Sequence, residues 1–491
     1  MADGTPPVKE YAAEKINFGQ PKSLPDLEGT RDLHLDDDGK PRRTGTTWTA
    51  AAHIITAVIG SGVLSIPWSV AQMGWIAGPL MIVFFASCTL FTSRLLADCY
   101  RHPNPDSGKR NYTYMDAVGA NLSRVSCWLC GMTQYSNLVG ASIGYTITSA
   151  TAARAIQKMD CYHRTGGHGE CLASTTPYIA IYGGIQIALS MIPNFGELWW
   201  LSYLAAIMSF TYSFVVLGLG IGKSTTSQDH GSLGGIKIGD TDVHGYEKLH
   251  DKVFNIYIAM GNIAFAYTFS MILLEIQDTL RSPPSERKQM KRAALYAIVT
   301  TTMFYVASGT TGYLAFGNEV CGNILTCFTS PYWLVNFANT CVIIHLVGAY
   351  QVFTQPVFSA VETAVQNRFP DNRVINTGFL IRLPGRLVLD LNILRATWRT
   401  VYVIITTLIS MVLPFFNDIL GILGALAFWP LTIYFPIAIY KAQNKIPKWS
   451  AEWIGLHILS GVTFLVSLVA LLGSIQGLVT SLRHVKFFAA T

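Results

Sequence analysis

The 491-residue chain reads as an all-α polytopic membrane protein of eleven spans: two five-helix repeats of inverted topology plus one further helix, with helices one and six discontinuous. Three observations predict this class. Only 13% of the residues are charged and 51% are hydrophobic, whereas a soluble domain carries roughly 25% charged residues. Apolar runs recur at about the 20 residues needed to cross a bilayer. Two of these runs, five apart in order, hold small and polar residues at mid-depth and run in opposite directions, as expected for corresponding helices of inverted repeats.

In chain order, residues 1–46 are polar, carry Asp36-Asp37-Asp38 and read as a disordered cytosolic tail, with no cleavable signal sequence expected. The spans are expected at 47–75, 77–99, 125–156, 176–193, 197–221, 252–280, 291–316, 331–367, 398–415, 419–441 and 453–481. The first repeat is thus 47–221, an outer loop follows at 222–251, the second repeat is 252–441, and 442–491 hold the eleventh helix and a short tail.

Basic residues of short loops mark the cytoplasmic side. Arg42 and Arg43 precede span one; Arg101, Lys109, Arg110 and Arg124 follow span two. Arg281, Arg287, Lys288, Lys291 and Arg292 follow span six, Arg382, Arg386, Arg395 and Arg399 follow span eight, and Lys441, Lys445 and Lys448 follow span ten. All fall on one side, so the N-terminus is expected in the cytosol and the tail ending at Thr491 outside. The net charge of +6 is then a topology signal, not a nucleic-acid footprint. Cys161 and Cys171, and Cys321 and Cys327, lie in the outer loops after spans three and seven, where disulfides persist. The other five cysteines are expected to pack as small apolar residues. The sequons at Asn111 and Asn121 fall on the cytoplasmic side and should be unused.

The stretch Ile59-Gly60-Ser61-Gly62-Val63-Leu64-Ser65-Ile66-Pro67 interrupts span one. Hydrocarbon offers backbone groups no partner, so a break at that depth survives only where it lines a cavity. The half-helix after Gly60, Ser61, Gly62 and Val63 would aim free N–H groups and a positive dipole end at an anion such as a carboxylate. A Gly/Ser packing face with a proline kink is the plainer reading. Gly261-Asn262-Ile263-Ala264-Phe265-Ala266-Tyr267-Thr268 in span six supplies the second break. Its carbonyls would face a cation, and one cavity offering both suits a zwitterion such as an α-amino acid.

Polar residues at depth are candidates in turn. Tyr135 and Asn137 in span three could reach a ligand, though their spacing places them on different faces; Gly140 and Gly144 there read as a packing face. His53, two turns before the first break, and His345 in span eight titrate near neutral pH as imidazoles and are proton candidates, as are Asp251 and Glu275 at the two ends of span six. No acidic or hydroxyl-rich cluster faces the first break, which argues against a sodium site and leaves main-chain carbonyls as the one route to it. Enzyme motifs are missing: Gly218 to Ser224 is one residue short of a phosphate loop, and there is no zinc frame or nucleophile elbow. No cofactor or metal is expected, and no filter or charge ring suggests a channel.

The run Thr44-Gly45-Thr46-Thr47-Trp48-Thr49 through His53 to Ile59-Gly60-Ser61-Gly62-Val63-Leu64-Ser65 resembles the opening of plant amino acid permeases. So do Leu274-Glu275-Ile276-Gln277-Asp278-Thr279-Leu280-Arg281-Ser282-Pro283-Pro284 and His345-Leu346-Val347-Gly348-Ala349-Tyr350-Gln351-Val352-Phe353. The resemblance implies the amino acid/auxin permease branch of the leucine-transporter-like fold and proton-driven uptake of L-amino acids across the plasma membrane. It implies that backbone around Gly60, Ser61, Gly62 and Val63 holds the substrate carboxylate and that carbonyls around Ile263, Ala264 and Phe265 hold its amino group, with Tyr267 nearby. It also implies roles in transport for His53 and His345. Ile66-Pro67-Trp68-Ser69 departs from the family's Leu-Ala-Trp-Ala, and the proline should sharpen the break. An auxin or organic-acid carrier of the same superfamily, or a sensor without flux, is the alternative. Current recordings with amino acids and with indole-acetic acid separate them.

Overall fold

The computed structural model describes residues 43–166, 171, 173–192, 199–237, 249–382 and 388–484. The expected tail through residue 42, the middle of the expected outer loop (238–248) and the last seven residues lie outside these. The described residues are predominantly helical: α1 Thr47–Val58, α2 Gly62–Asp98, α3 Tyr114–Asn121, α4 Arg124–Arg164, α5 Thr176–Ser190, α6 Trp199–Ser224, α7 Leu249–Ala266, α8 Leu273–Gln277, α9 Glu286–Phe316, α10 Tyr332–Arg368, α11 Arg373–Asn376, α12 Ile393–Val412, α13 Phe416–Ala427, α14 Phe435–Gln443 and α15 Ala451–His484. Two small antiparallel hairpins depart from the all-α expectation. Strand β1 Arg101–His102 pairs with β2 Lys109–Arg110, and β3 Gly378–Arg382 pairs with β4 Val388–Asn392. The first has only two residues per strand and no period to read, whereas Leu389-Asp390-Leu391-Asn392 of the second alternates in the manner of a strand.

Among the described residues, seven helical stretches are long and apolar enough to cross a membrane, within 62–98, 203–224, 249–277, 286–319, 332–368, 416–443 and 451–483. The four other expected spans coincide with α1 plus the start of α2, with α4, α5 and α12. They fall short because α1 has 12 residues, α5 has 15, and α4 carries Gln, Asn, Ser, Thr and charged residues along its length. Helix α2 is two arms: Gly74 has φ +83° and bends the chain between them. A Cβ there would strike the Leu233 carbonyl. The segment after α6 caps this bend, with Ile236 N–H donating to Ala71 O, Trp75 N–H to Ser232 O and the Trp75 indole to His230 O.

Two sets of helices pack differently. Helices α4, α5, α10 and α12 are tied by buried side-chain hydrogen bonds. Tyr182 donates to Leu346 O at 2.8 Å, Gln351 Nε2 to Gln186 Oε1 at 2.7 Å, Arg399 to Ser190 O at 2.8 Å and to Glu362 at 2.7 Å, and the Ser142 and Tyr402 hydroxyls meet at 3.0 Å. Such fully partnered polar groups cross-link membrane helices that have no hydrophobic drive to associate. In the second set glycines bring backbones close. A Cβ on Gly261 of α7 would lie 2.6 Å from Gly421 O of α13, and one on Gly473 of α15 would lie 2.9 Å from Phe254 O. In α4, Gly140 faces the Leu423 side chain with no room for a methyl, and Gly144 lies beside it, so both serve packing as expected.

Cys161 and Cys171 stand at disulfide distance with Cα atoms 5.8 Å apart, and Cys321 and Cys327 with Cα atoms 5.6 Å apart. Cys88, Cys99, Cys127, Cys130 and Cys341 are free and, apart from half-buried Cys127, buried.

Candidate functional site

Helix α1 stops where Ile59 and Gly60 leave its hydrogen-bonding path, while Ser61 already has helical dihedrals. Ile59 takes ψ +79°, Gly60 N–H turns back to Val58 O at 2.9 Å, and α2 starts at Gly62. Its first two amides, on Ser61 and Gly62, have no backbone acceptor among the described residues, as at any helix start. The Ser61 hydroxyl is buried, caps nothing and has no protein partner. Pro67 does not mark the break: α2 runs helically through it, and its ring seats against Gly312 of α9.

The second interruption falls later than Gly261–Thr268. Helix α7 continues through Ala266, and the non-helical residues are Tyr267 to Phe269, followed by one 3-10 turn, Ser270–Ile272, and α8. Gly261 is a packing glycine, which is why its presence mid-span did not open the helix. Ile263, Ala264 and Phe265 are helical, with Ala264 O accepting Tyr267 N–H and Phe265 O accepting Thr268 N–H, both at 3.1 Å. The free carbonyl end is therefore at Ala266.

The two interruptions touch. A Cβ on Gly62 would lie 3.2 Å from Ala266 Cα. Tyr305 of α9, fully buried, points its hydroxyl at the last carbonyl of each preceding half-helix: 2.6 Å to Val58 O and 3.3 Å to Ala266 O. Its ring packs edge-on to Tyr267 at 5.4 Å, and the Tyr267 hydroxyl meets Thr302 Oγ1 at 2.9 Å. His345 of α10 sits on the other side. A carbonyl can only accept, so the 2.8 Å contact to Ala205 O puts the proton on Nδ1. Nε2 is then a lone pair, 3.7 Å from where a Gly60 side chain would begin. Tyr212 packs edge-on to the His345 ring at 5.7 Å, and its buried hydroxyl has no protein partner. Asn262, one turn before Ala266, is fully buried with neither amide atom bonded. Buried polar groups left open at membrane depth call for a ligand. Tyr212, Asn262 and Tyr305 were not evident as site residues in the sequence, because a single tyrosine or asparagine in an apolar helix is a weak signal without its neighbours.

Other expected residues lie apart. His53 is exposed on α1, away from His345. Asn137 reaches Leu423 O of α13 at 3.4 Å. Asp251 pairs with His250 at 3.0 Å at the far end of α7. Glu275, in α8 below the second interruption, takes the Tyr114 N–H at 3.4 Å on one oxygen and has no partner on the other. Tyr135 of α4 is half-buried against the core, within electrostatic range of Glu275.

At the basic end, an ion network closes over the start of α1. Glu286, with 5% of its side chain exposed, takes Arg43 at 2.8 Å and Arg101 at 2.7 Å. Asp98 takes Lys291 at 2.6 Å and Arg287 at 3.5 Å. Tyr100 donates to Asp278 at 2.6 Å, and burial with that carboxylate pushes its hydroxyl well above the ordinary tyrosine range, keeping it a donor. Gly45 pairs with the backbone of Thr279 and Arg281.

These features define a helical polytopic membrane protein, and its fold is similar to solved transporters. The crystal structure of MhsT in complex with L-phenylalanine aligns with a TM-score of 0.51 over 89% of this chain and all of that one, at 10% identity. A manganese transporter of Eremococcus coleocola aligns at 0.50 over 89% and 90%, at 11% identity. Residues 43–480 match the family described as transmembrane amino acid transporter protein, and the chain belongs to that family. It is 52% identical to amino acid permease 3 of Arabidopsis thaliana over 95% of this chain and 97% of that one. It is 50% identical to amino acid permease 6 of the same plant, over 96% and 98%. Lysine histidine transporter-like 6 matches at 28%. These relatives are named permeases and transporters, not enzymes, and support amino acid transport.

Gly62→Ala tests the contact of the two interruptions. The added methyl would meet Ala266 Cβ at 3.1 Å and overpack the junction by about 1–3 kcal/mol. Amino acid uptake should fall severely while surface biotinylation shows normal amounts of protein. Gly184→Ala in α5, where the methyl enters open space, should leave uptake unchanged.

Proposed function

We propose that this protein is a proton-coupled symporter that imports L-amino acids across the plasma membrane by alternating access. The observation that carries the proposal is the meeting at one point of unpaired amides at the start of α2 with the carbonyl ends of α1 and α7. Amides at a helix start favour a carboxylate, and carbonyls at helix ends favour an ammonium. A zwitterion supplies both at the separation its own α-carbon sets. In this reading the chain has eleven spans. The first repeat, 47–221, and the second, 252–441, are inverted, and helices one and six are the discontinuous pair. The basic end with the N-terminus is cytosolic, and the disulfide end with the C-terminus is outside.

Alternating access needs one firmly cross-linked group of helices and another that can move against it. The α4–α5–α10–α12 set is the cross-linked frame, and α1, α2, α7, α8 and α9 rock against it. His345 sits where they meet, its Nδ1 tied to α6 and its Nε2 toward Gly60 of the moving set. A proton from outside would bind Nε2, and substrate binding beside it closes the outer path. Glu275, with one unpartnered oxygen toward the cytosolic end, then offers the proton a way out. One charge moving inward gains about 2.3 kcal/mol per 100 mV and about 1.4 kcal/mol per pH unit. Together these support accumulation on the order of several hundredfold.

Voltage-clamp recording tests the reading. Neutral amino acids should evoke an inward current that grows as external pH falls and ignores sodium. Binding without current supports a sensor, and currents with indole-acetic acid alone support the auxin carrier. His345→Asn, which keeps the donor to Ala205 but removes the titratable nitrogen, should abolish the pH stimulation while leaving amino acid binding; an unchanged pH profile removes His345 as the proton carrier.

The ion network at the basic end is the inner seal in this scheme. Glu286→Gln leaves Arg43 and Arg101 facing a neutral side chain, at a cost of about 3–5 kcal/mol to the closed state. Cys99, buried at the same end, should be alkylated at least about tenfold faster in that variant, since about 1.4 kcal/mol is a factor of ten. Mass analysis of the Cys99 peptide reads this out.

A further inference from the structure

The phenol of Tyr305 stands at a place where chemistry favours a cation. Helices α1 and α7 both end there, at Val58 and Ala266, and each end carries about half a negative charge from its aligned peptides. Two such ends converging at membrane depth repel one another unless something positive or proton-donating lies between them. The Tyr305 hydroxyl lies there, 2.6 Å from Val58 O and 3.3 Å from Ala266 O. One hydroxyl proton serves one carbonyl at a time, so the shorter contact is the donated bond and Ala266 O is left under-satisfied. The ring cannot easily withdraw. It is fully buried, locked edge-on by Tyr267, and Tyr267 is itself tied to Thr302 one turn away on the same helix.

We propose that Tyr305 is a determinant of coupling-ion specificity: its hydroxyl fills, with a fixed donor, the position between Val58 O and Ala266 O that a monovalent metal cation would otherwise take. Such a cation is held by main-chain carbonyls at interrupted helices without any acidic side chain. Removing the hydroxyl leaves Ala266 O open and Val58 O with the Gly60 N–H alone, and so uncovers a sodium-sized site between two helix ends. The inference rests on reading the two interruptions as the transport site.

The test is Tyr305→Phe, assayed for amino acid uptake at neutral pH in sodium, potassium or choline chloride, and for the melting temperature of the detergent-solubilised protein in the same salts. A ligand that binds only the folded state raises that temperature with its concentration. The expected result is uptake several-fold higher in sodium than in choline and a sodium-dependent rise in melting temperature, with wild type indifferent to the salt in both assays. The proposal is overturned if the variant responds to no metal cation in either assay. It is equally overturned if the protein is recovered from neither sodium nor choline media, because a site opened by losing the donor must be rescued by the cation. A wild-type protein that itself requires sodium and ignores pH would instead sink the proton-symport reading. A proton-driven wild type with an unresponsive variant sinks this inference alone.

Discussion

Hydrocarbon offers no hydrogen bonds, so every amide and carbonyl released where α1 and α7 end must be answered from within the protein. That single constraint organises the centre of the molecule. The carbonyl ends are answered by one phenol on α9, and the amides at the start of α2 are held open beside them. Close approach of the two interruptions needs the missing side chain of Gly62 against Ala266. Close approach of α7 to α13 and α15 needs Gly261, Gly421 and Gly473. Much of the glycine content of these helices is thus spent on placing two chain breaks within reach of each other.

The surroundings divide according to how they are held. Polar cross-links such as Gln351–Gln186, Tyr182–Leu346 and Arg399–Glu362 make α4, α5, α10 and α12 a frame whose contacts are directional and costly to break. Glycine and aliphatic packing between α2, α7 and α9 is less directional. At the basic end Glu286, the first residue of α9, pairs with Arg43 before α1 and Arg101 after α2, and Tyr100 hydrogen-bonds Asp278 at the end of α8. A set of helices held by packing and peripheral ion pairs, against a frame held by buried hydrogen bonds, is the mechanical arrangement that the proposed rocking motion requires.

Much of this was legible in the sequence, and the exceptions have physical causes. The first interruption was readable because Gly60-Ser61-Gly62 weakens the helix on its own account. The second was placed a few residues early, because Gly261 looks the same in sequence whether it breaks a helix or lets another backbone approach. The neighbour that decides it, Gly421, is 160 residues away. Pro67 was read as sharpening the first break, yet the helix runs through it, and here its ring fills the space over Gly312. Tyr305 carries no local pattern at all, and Asn262, though inside the stretch read as the second break, gave no sign there of its open amide; the significance of both is three-dimensional. The pairing of Cys161 with Cys171 and of Cys321 with Cys327 was legible because the short sequence separation of each pair marks it without any knowledge of packing.

In the proposed cycle the two interruptions jointly bind a zwitterion. Determination of the structure with a bound L-amino acid tests it most directly. The expected result is density for the ligand with its carboxylate within hydrogen-bonding distance of the Ser61 and Gly62 amides and its ammonium toward Ala266 O. An amino acid bound elsewhere, for example in the groove lined by Gln157, Asp160 and Arg164 at the end of α4, with the two interruptions unchanged, would contradict it.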